Sequence, residues 1–300
     1  MKQRVIALGF FDGVHLGHGA LLRRTRELAD RFGLTAAALT FDVHPDTLVS
    51  GTDVRLINTF EERVWLIKSL YGIDEVLTLH FDEQVMRQPW EQFVLDTLCG
   101  TYQAAYVVCG HDFRFGAGGE GTPQRLTEIC RRLGIGCDCI SQVRMDGKAI
   151  SSTMIRQLLE AGATAQAVRL LGHPHIIFGT VVGGQHIGHT IGIPTANLVL
   201  QERVLIPRFG VYAAKAYVAD IAYTAVVNIG VRPTVGGQTI TVEPWLLDFE
   251  GNLYGADMRL ELYTFLRPEQ KFASLEALKA EILRNAQQTR DFFTQGRSNQ

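Results

Sequence analysis

The chain changes its grammar near residue 172, and that change limits its fold more than any other feature. Before it, apolar runs at 5–8, 34–41, 75–79, 106–109 and 136–143 alternate with helical patterns. One helix opens at Thr59 with Glu62 placed for a capping box, and another spans 123–133. Such alternation calls for a doubly wound parallel sheet with ligands at the carboxyl ends of its strands. After it, 179–182, 210–218, 223–228 and 257–263 are short, β-branched and punctuated by glycine. These fit a closed antiparallel β-barrel. Helical spacing returns only over 274–293, where Leu275, Leu278, Ile282 and Ala286 form a stripe. With 300 residues and 46% hydrophobic content there is material for two cores. Pro174 after Gly172 breaks the chain between them, so the expected domains are 1–172, α/β, and 173–300, all-β with a terminal helix.

The first chemical signal is GFFDGVHLGH, residues 9–18. It lies between the strand at 5–8 and a helix marked by Leu21, Leu28 and Phe32. Free N–H groups and the positive dipole end at such a junction favour phosphate. Gly9, Gly13 and Gly17 let the backbone turn and come close to a ligand. A single histidine here would be an ordinary loop residue. The pair His15 and His18, with these glycines, outlines a nucleotide site.

The second signal is ISSTMIR, residues 150–156. Ser151, Ser152 and Thr153 at a helix start are ordinarily caps. Arg156 follows Ser152 by four residues and Thr153 by three, so it shares their face and offers a planar fork of donors to phosphate oxygens. Together these residues make a pyrophosphate clamp. The two elements resemble the HxGH and SSTxxR signatures of the nucleotidyltransferase superfamily. TFDVHP (40–45) and GHDFRFG (110–116) are similar to stretches of one branch, the prokaryotic bifunctional riboflavin kinase/FAD synthetase family.

The second half carries GIPTAN (192–197), NIGVRPT (228–234), VEPWLLDF (242–249) and NLYG (252–255). PTAN alone is common turn chemistry. In this order the four stretches resemble the riboflavin kinase module, so the resemblance covers about 4–293.

That resemblance implies two successive reactions: ATP phosphorylates riboflavin to FMN, and a second ATP adenylylates FMN to FAD with release of pyrophosphate. In the kinase half it implies Glu243 as base, Thr195 and Asn197 as Mg²⁺ and nucleotide ligands, Gly188 at ATP, and Asn228 and Arg232 at the flavin. In the other half it implies that His15, His18 and Arg156 act on the phosphates. There Gly9, Phe11, Asp12, Gly17, Ser151, Ser152 and Thr153 would bind ATP, and Asp112, Phe113 and Arg114 the flavin. Phosphoryl transfer rests on positioning and charge neutralisation, which suits hard oxygen ligands and a magnesium ion.

The chain departs from the family pattern in places. His189 stands where the family has arginine, the loop 117–121 lacks a basic residue, and Trp245 and Asn252 replace the usual His and Asp. Two other readings stay open: an adenylyltransferase with a weakened kinase half, which His189 motivates, and, from a different class, a flavin carrier that binds FMN or FAD without making it. A net charge of −2 argues against nucleic acid. Five cysteines without a CxxC pair read as core thiols rather than zinc ligands. With no export signal and no membrane-length apolar run, the expected location is the cytoplasm.

Overall fold

The computed structural model describes residues 2–52, 54–183, 193–200, 204–234 and 237–297, with the backbone alone at 232–234, 237, 238, 296 and 297. They form two compact units, Met1–Ser152 and Thr153–Gln300.

In the first unit β1 (Arg4–Leu8), β2 (Thr35–Phe41), β3 (Glu75–Leu79), β4 (Ala104–Gly110) and β5 (Gly136–Ile140) lie in the order β3-β2-β1-β4-β5. All neighbours are parallel. Between them run α1 (Leu16–Phe32), α2 (Pro45–Val49), α3 (Phe60–Tyr71), α4 (Glu83–Arg87), α5 (Trp90–Gln92) and α6 (Pro123–Leu133), with a π-helical stretch Phe93–Thr101 after α5. Val5, Ile6, Ala7 and Leu8 are all buried, because a parallel sheet covered on both faces needs apolar residues at successive positions. Strand order reverses about β1, so the loops leaving β1 and β4 diverge and open the crevice where such sheets bind ligands.

The expected punctuation is present. The Thr59 hydroxyl accepts from the Glu62 N–H at 3.1 Å, and the Glu62 carboxylate accepts from the Thr59 N–H at 2.8 Å. α6 starts at Pro123 behind the Thr122 cap and ends at Gly134, whose φ is 72°. β5 stops at Ile140, short of the expected 143. The chain beyond it turns into a hairpin, β6 (Arg144–Met145) and β7 (Lys148–Ala149), around left-handed Asp146 and Gly147.

The second unit carries α7 (Ser152–Ala161), whose first residue closes the first unit, and α8 (Thr164–Leu171). Six strands follow: β8 (His175–Val182), β9 (Asn197–Val199), β10 (Gly210–Val218), β11 (Ile221–Thr234), β12 (Gly237–Leu246) and β13 (Asp257–Pro268). They close a barrel in the order β10-β11-β12-β9-β8-β13. Val227, Ile229, Val242, Leu246, Leu260 and Leu262 fill its interior, and alternation turns Val226 and Asn228 outward. α8 packs on β8 and β13. The terminal helix α9 (Leu275–Arg297) covers part of the outer face, with Ala286 against Val211, Val226 and Leu247. Leu275 is 55% exposed, so the buried stripe does not reach the first turn and runs on through Asn285 and Thr289 instead. Among the described residues no helix is long and apolar enough to cross a membrane.

Candidate functional site

At the carboxyl end of β1 the backbone turns through left-handed Phe11, Gly13 and Val14 before α1 begins. His15 is the N-cap of α1, its Nδ1 accepting the His18 N–H at 3.3 Å. The two imidazoles stack with centroids 3.7 Å apart and 13° between planes, and the Phe11 ring meets His18 edge-on at 5.4 Å. Gly17 makes this possible. A Cβ there would stand 2.9 Å from the His15 ring.

Burial, then His15, then Arg63 push the His18 pKa well below its ordinary value, so the ring is neutral near pH 7. Its Nδ1 is buried and has no hydrogen-bond partner among the described residues. A buried polar atom in that state is costly unless a ligand or water meets it.

Asp12 and Arg63 hold the loop from below. The Asp12 carboxylate, 2% exposed, accepts the N–H groups of Ile57 at 2.8 Å and Asn58 at 3.4 Å. Arg63 comes from α3 and is 1% exposed. It donates to the Phe10 carbonyl at 2.6 Å, the Thr40 hydroxyl at 3.1 Å and the Phe41 carbonyl at 3.2 Å, tying together the ends of β1 and β2. Its guanidinium lies 4.2 Å from the centroid of Phe10. Desolvation lowers its pKa to about 10 against the pull of Asp12, Glu61 and Asp42, which leaves it charged at neutral pH. Sequence reasoning passed over Arg63, because an arginine in a helix reads as a solvated charge until the strand ends close over it.

The Ser152 hydroxyl donates to the Asp12 carbonyl at 2.8 Å, so the start of the second signal meets the first. Ser151 is exposed just before α7. Thr153 and Arg156 lie on α7 in the second unit, where the guanidinium donates to the Thr153 hydroxyl at 3.4 Å. Asp112, Phe113 and Arg114 follow β4. Asp112 and Arg114 are exposed, while Phe113 stacks on Phe115 at 5.5 Å.

In the second unit the site is assembled by register. Asn228 pairs with Glu243 across β11 and β12, and Leu198 pairs with Val242 across β9 and β12. One residue along, Asn197 falls opposite Glu243, which places Asn197, Glu243 and Asn228 in one row on the barrel's outer face. Thr195 precedes Asn197 by two residues, and the Ala196 N–H donates to the Pro244 carbonyl at 2.9 Å, keeping this segment beside β12. A second carboxylate stands close by. Burial and then the charge of Glu243 raise the pKa of Glu269, and its Oε1 would lie 2.0 Å from a Cβ at Gly230. Glu269 was invisible in the sequence, since only the return of β13 brings it over Gly230. Asn252 forms a turn, its Oδ1 accepting the Tyr254 N–H at 2.9 Å. Gly188 and His189 lie outside the described residues, and of Arg232 only the backbone, paired with Thr239, is within them.

Asn197, opposite Glu243 by register, and Thr195, two residues before it on the same segment, carry the neutral oxygens that suit a hard divalent cation. Among the described residues no group of three or more His, Cys, Asp or Glu could hold a metal ion.

Comparison with known proteins gives two family matches: FAD synthetase over residues 1–154 and riboflavin kinase over 171–293. The chain is 35% identical over 296 residues to a bifunctional riboflavin kinase/FMN adenylyltransferase of Listeria monocytogenes, covering 97% of this chain and 93% of that one. It is 38% identical over 293 residues to the protein so described from Escherichia coli, covering 96% and 92%. A solved structure described as a macrolide-efflux protein from Streptococcus pneumoniae matches with a TM-score of 0.87 at 29% identity, over 96% of this chain and 94% of that one.

Proposed function

Because the chain belongs to the bifunctional riboflavin kinase/FMN adenylyltransferase family, and so converts riboflavin to FMN and FMN to FAD, we propose how its residues divide the two reactions. The functional modules are 1–172, which adenylylates FMN, and 173–300, which phosphorylates riboflavin. α7 is counted with the first because Thr153 and Arg156 belong to its pyrophosphate clamp.

In the kinase module the riboflavin 5′-hydroxyl attacks the γ-phosphorus of ATP, ADP leaves, and Glu243 accepts the hydroxyl proton. A carboxylate suffices, because the proton moves once bond formation has made the alcohol acidic. Thr195 and Asn197 hold the nucleotide with Mg²⁺, which when bound neutralises phosphate charge. Gly188 lies along the ATP, and Asn228 and Arg232 orient the flavin. The observation that carries this assignment is the row Asn197, Glu243, Asn228.

In the adenylyltransferase module an FMN phosphate oxygen attacks the α-phosphorus of ATP and pyrophosphate departs. His15 and a neutral His18 donate to the nucleotide phosphates, which the low pKa of His18 supports. Ser151, Ser152, Thr153 and Arg156 steady the pyrophosphate. Gly9 and Gly17 let the chain approach the nucleotide, Phe11 backs His18, and Asp12 fixes the loop. Asp112, Phe113 and Arg114 receive the flavin. The five free thiols support a reducing, cytoplasmic setting.

One experiment tests the division. Purified protein with riboflavin, ATP and Mg²⁺ is followed by flavin chromatography, with Glu243→Ala and the double variant His15→Ala/His18→Ala beside it. Glu243→Ala should stop FMN formation and still make FAD from supplied FMN, and the histidine variant should do the reverse. Unchanged riboflavin phosphorylation in Glu243→Ala would refute its role as base.

A further inference from the structure

α7 carries Thr153 and Arg156, yet little of the helix itself is packed. Of its ten residues only Ile155 and Leu159 are buried, four positions apart on one face. A helix of this length is marginal alone, so its placement depends on ties at its two ends. At the start, the Ser152 hydroxyl is fixed to the Asp12 carbonyl of the phosphate loop.

The other end is tied by a residue of the barrel. The last turn of a helix leaves its carbonyls without helical partners. In α7 the Ala163 N–H donates to the Leu158 carbonyl at 2.8 Å and the Gly162 N–H to the Leu159 carbonyl at 3.1 Å. Arg208 adds two bonds from far along the chain: its N–H donates to the Leu159 carbonyl at 3.0 Å, and its guanidinium to the Ala161 carbonyl at 3.2 Å. Its positive charge meets the negative end of the helix dipole. Gly162 leaves room for this. It turns the chain at a φ of 79°, and a Cβ there would stand 2.7 Å from the Arg208 Cδ.

Arg208 is itself anchored. Its carbonyl accepts the Tyr212 hydroxyl, and its guanidinium lies 5.2 Å from the centroid of Phe265 on β13. Tyr212 is fully buried in the barrel cluster and meets Phe265 edge-on at 5.2 Å. The anchor thus belongs to the riboflavin-phosphorylating module, whereas the helix it closes carries the residues assigned to pyrophosphate.

We propose that Arg208 is a positioning residue for FAD formation: by closing the C-terminal end of α7 it fixes the direction in which Thr153 and Arg156 meet the departing pyrophosphate. Arg156 lies six residues before Gly162, about 9 Å along the helix axis. Over that length a helix is stiff, so a displaced end carries the Arg156 guanidinium with it. Arg208 acts through α7 and not on the substrates. The inference rests on the reading of Thr153 and Arg156 as the pyrophosphate clamp.

The test uses the full-length protein and runs the second reaction backwards, FAD and pyrophosphate giving FMN and ATP in the presence of Mg²⁺. Arg208→Met keeps an apolar stem beside Phe265 and removes the guanidinium donors. The KM for pyrophosphate should rise about fivefold, since a charge-assisted hydrogen bond to the helix end is lost. The KM for FAD should stay within about twofold. Arg208→Lys, which keeps the charge at the helix end, should recover most of the affinity for pyrophosphate. Unchanged riboflavin phosphorylation in the same preparations would show that the barrel is folded. A wild-type KM for pyrophosphate in folded Arg208→Met overturns the inference even if kcat falls, because a loosened fold lowers the active fraction without changing that constant. Gly162→Ala reaches the same contact from the helix side by driving the Arg208 Cδ away. It should raise the KM for pyrophosphate likewise, and it decides the matter if Arg208→Met does not fold. Failure of the clamp reading would look different, since Arg156→Ala would then itself leave the KM for pyrophosphate unchanged.

Discussion

The two units build their candidate sites by opposite means. In the first, His15, Gly17 and His18 are neighbours in sequence, and one strand-to-helix turn brings the rings into contact. In the second, Asn197, Glu243 and Asn228 come from three strands and meet only through pairing register. A local site is stabilised by its own turn and by the residues that clamp it. A register-built site shifts whole side chains to the other face if a strand slips by one residue.

The sharpest way to break this comparison is the paired substitution already described. Loss of Glu243 should lower FMN formation by about 10²- to 10⁴-fold, and loss of both histidines should lower FAD formation on a similar scale. Each should leave the other activity nearly intact, because distant independent sites act additively. If either variant lost both activities with its fold intact, the two sites would not be separate.

A smaller effect tests whether the local site depends on its clamp. Arg63→Met keeps the apolar stem but removes the donors that join Phe10, Thr40 and Phe41. A misplaced phosphate site costs on the order of 10²-fold, so FAD formation should drop by about that factor. Riboflavin phosphorylation should stay within about twofold. The pH profile of FAD formation separates positioning from mere loss of fold. Without the Arg63 charge the pKa of His18 rises, so activity should begin to fall at a higher pH as the solution is acidified. A profile of unchanged shape would refute an electrostatic role for Arg63.

Legibility divides along the same line. β3 and α6 fall where their sequence patterns put them, because alternation and caps are local signals. The expected strand 136–143 overruns the observed end of β5 at Ile140 by three residues, because the chain there already leads into the hairpin whose turn, Asp146-Gly147, lies just beyond that stretch. At the sites, HxGH is readable since its geometry lives within four residues. Arg63 and Glu269 are not, because each acquires its environment from elements far away in sequence: the β1 and β2 ends for one, Gly230 and Glu243 for the other.

Register also buries a group the barrel would be more stable without at low pH. His175, paired with Leu262 on β13, is almost fully enclosed, and neither ring nitrogen has a hydrogen-bond partner among the described residues. Desolvation, then the charge of His173, lowers its pKa to about 3. The unfolded chain takes up this proton near pH 6.5 and the folded chain does not, so stability falls as pH drops from about 6.5 toward 3. At pH 5 the loss from this one group is about 2 kcal/mol. His175→Leu should remove it, making hydrogen exchange of barrel amides less sensitive to pH between 7 and 5. Equal sensitivity in both proteins would mean that His175 finds a partner when folded.

The smallest expected effect bears on the local site alone. Gly17→Ala would set a Cβ 2.9 Å from Cε1 and 3.0 Å from Nδ1 of His15, closer than van der Waals contact allows, so the ring must leave its stack on His18. Gly17 lies within α1, where alanine favours the helix by up to about 1 kcal/mol. Stability and activity should therefore part company. The KM for ATP in FAD formation should rise about tenfold, equivalent to about 1.4 kcal/mol, while thermal stability holds or increases. A variant that lost stability and activity together would show that Gly17 serves the packing of α1. One that lost activity alone would show that it serves the imidazole pair.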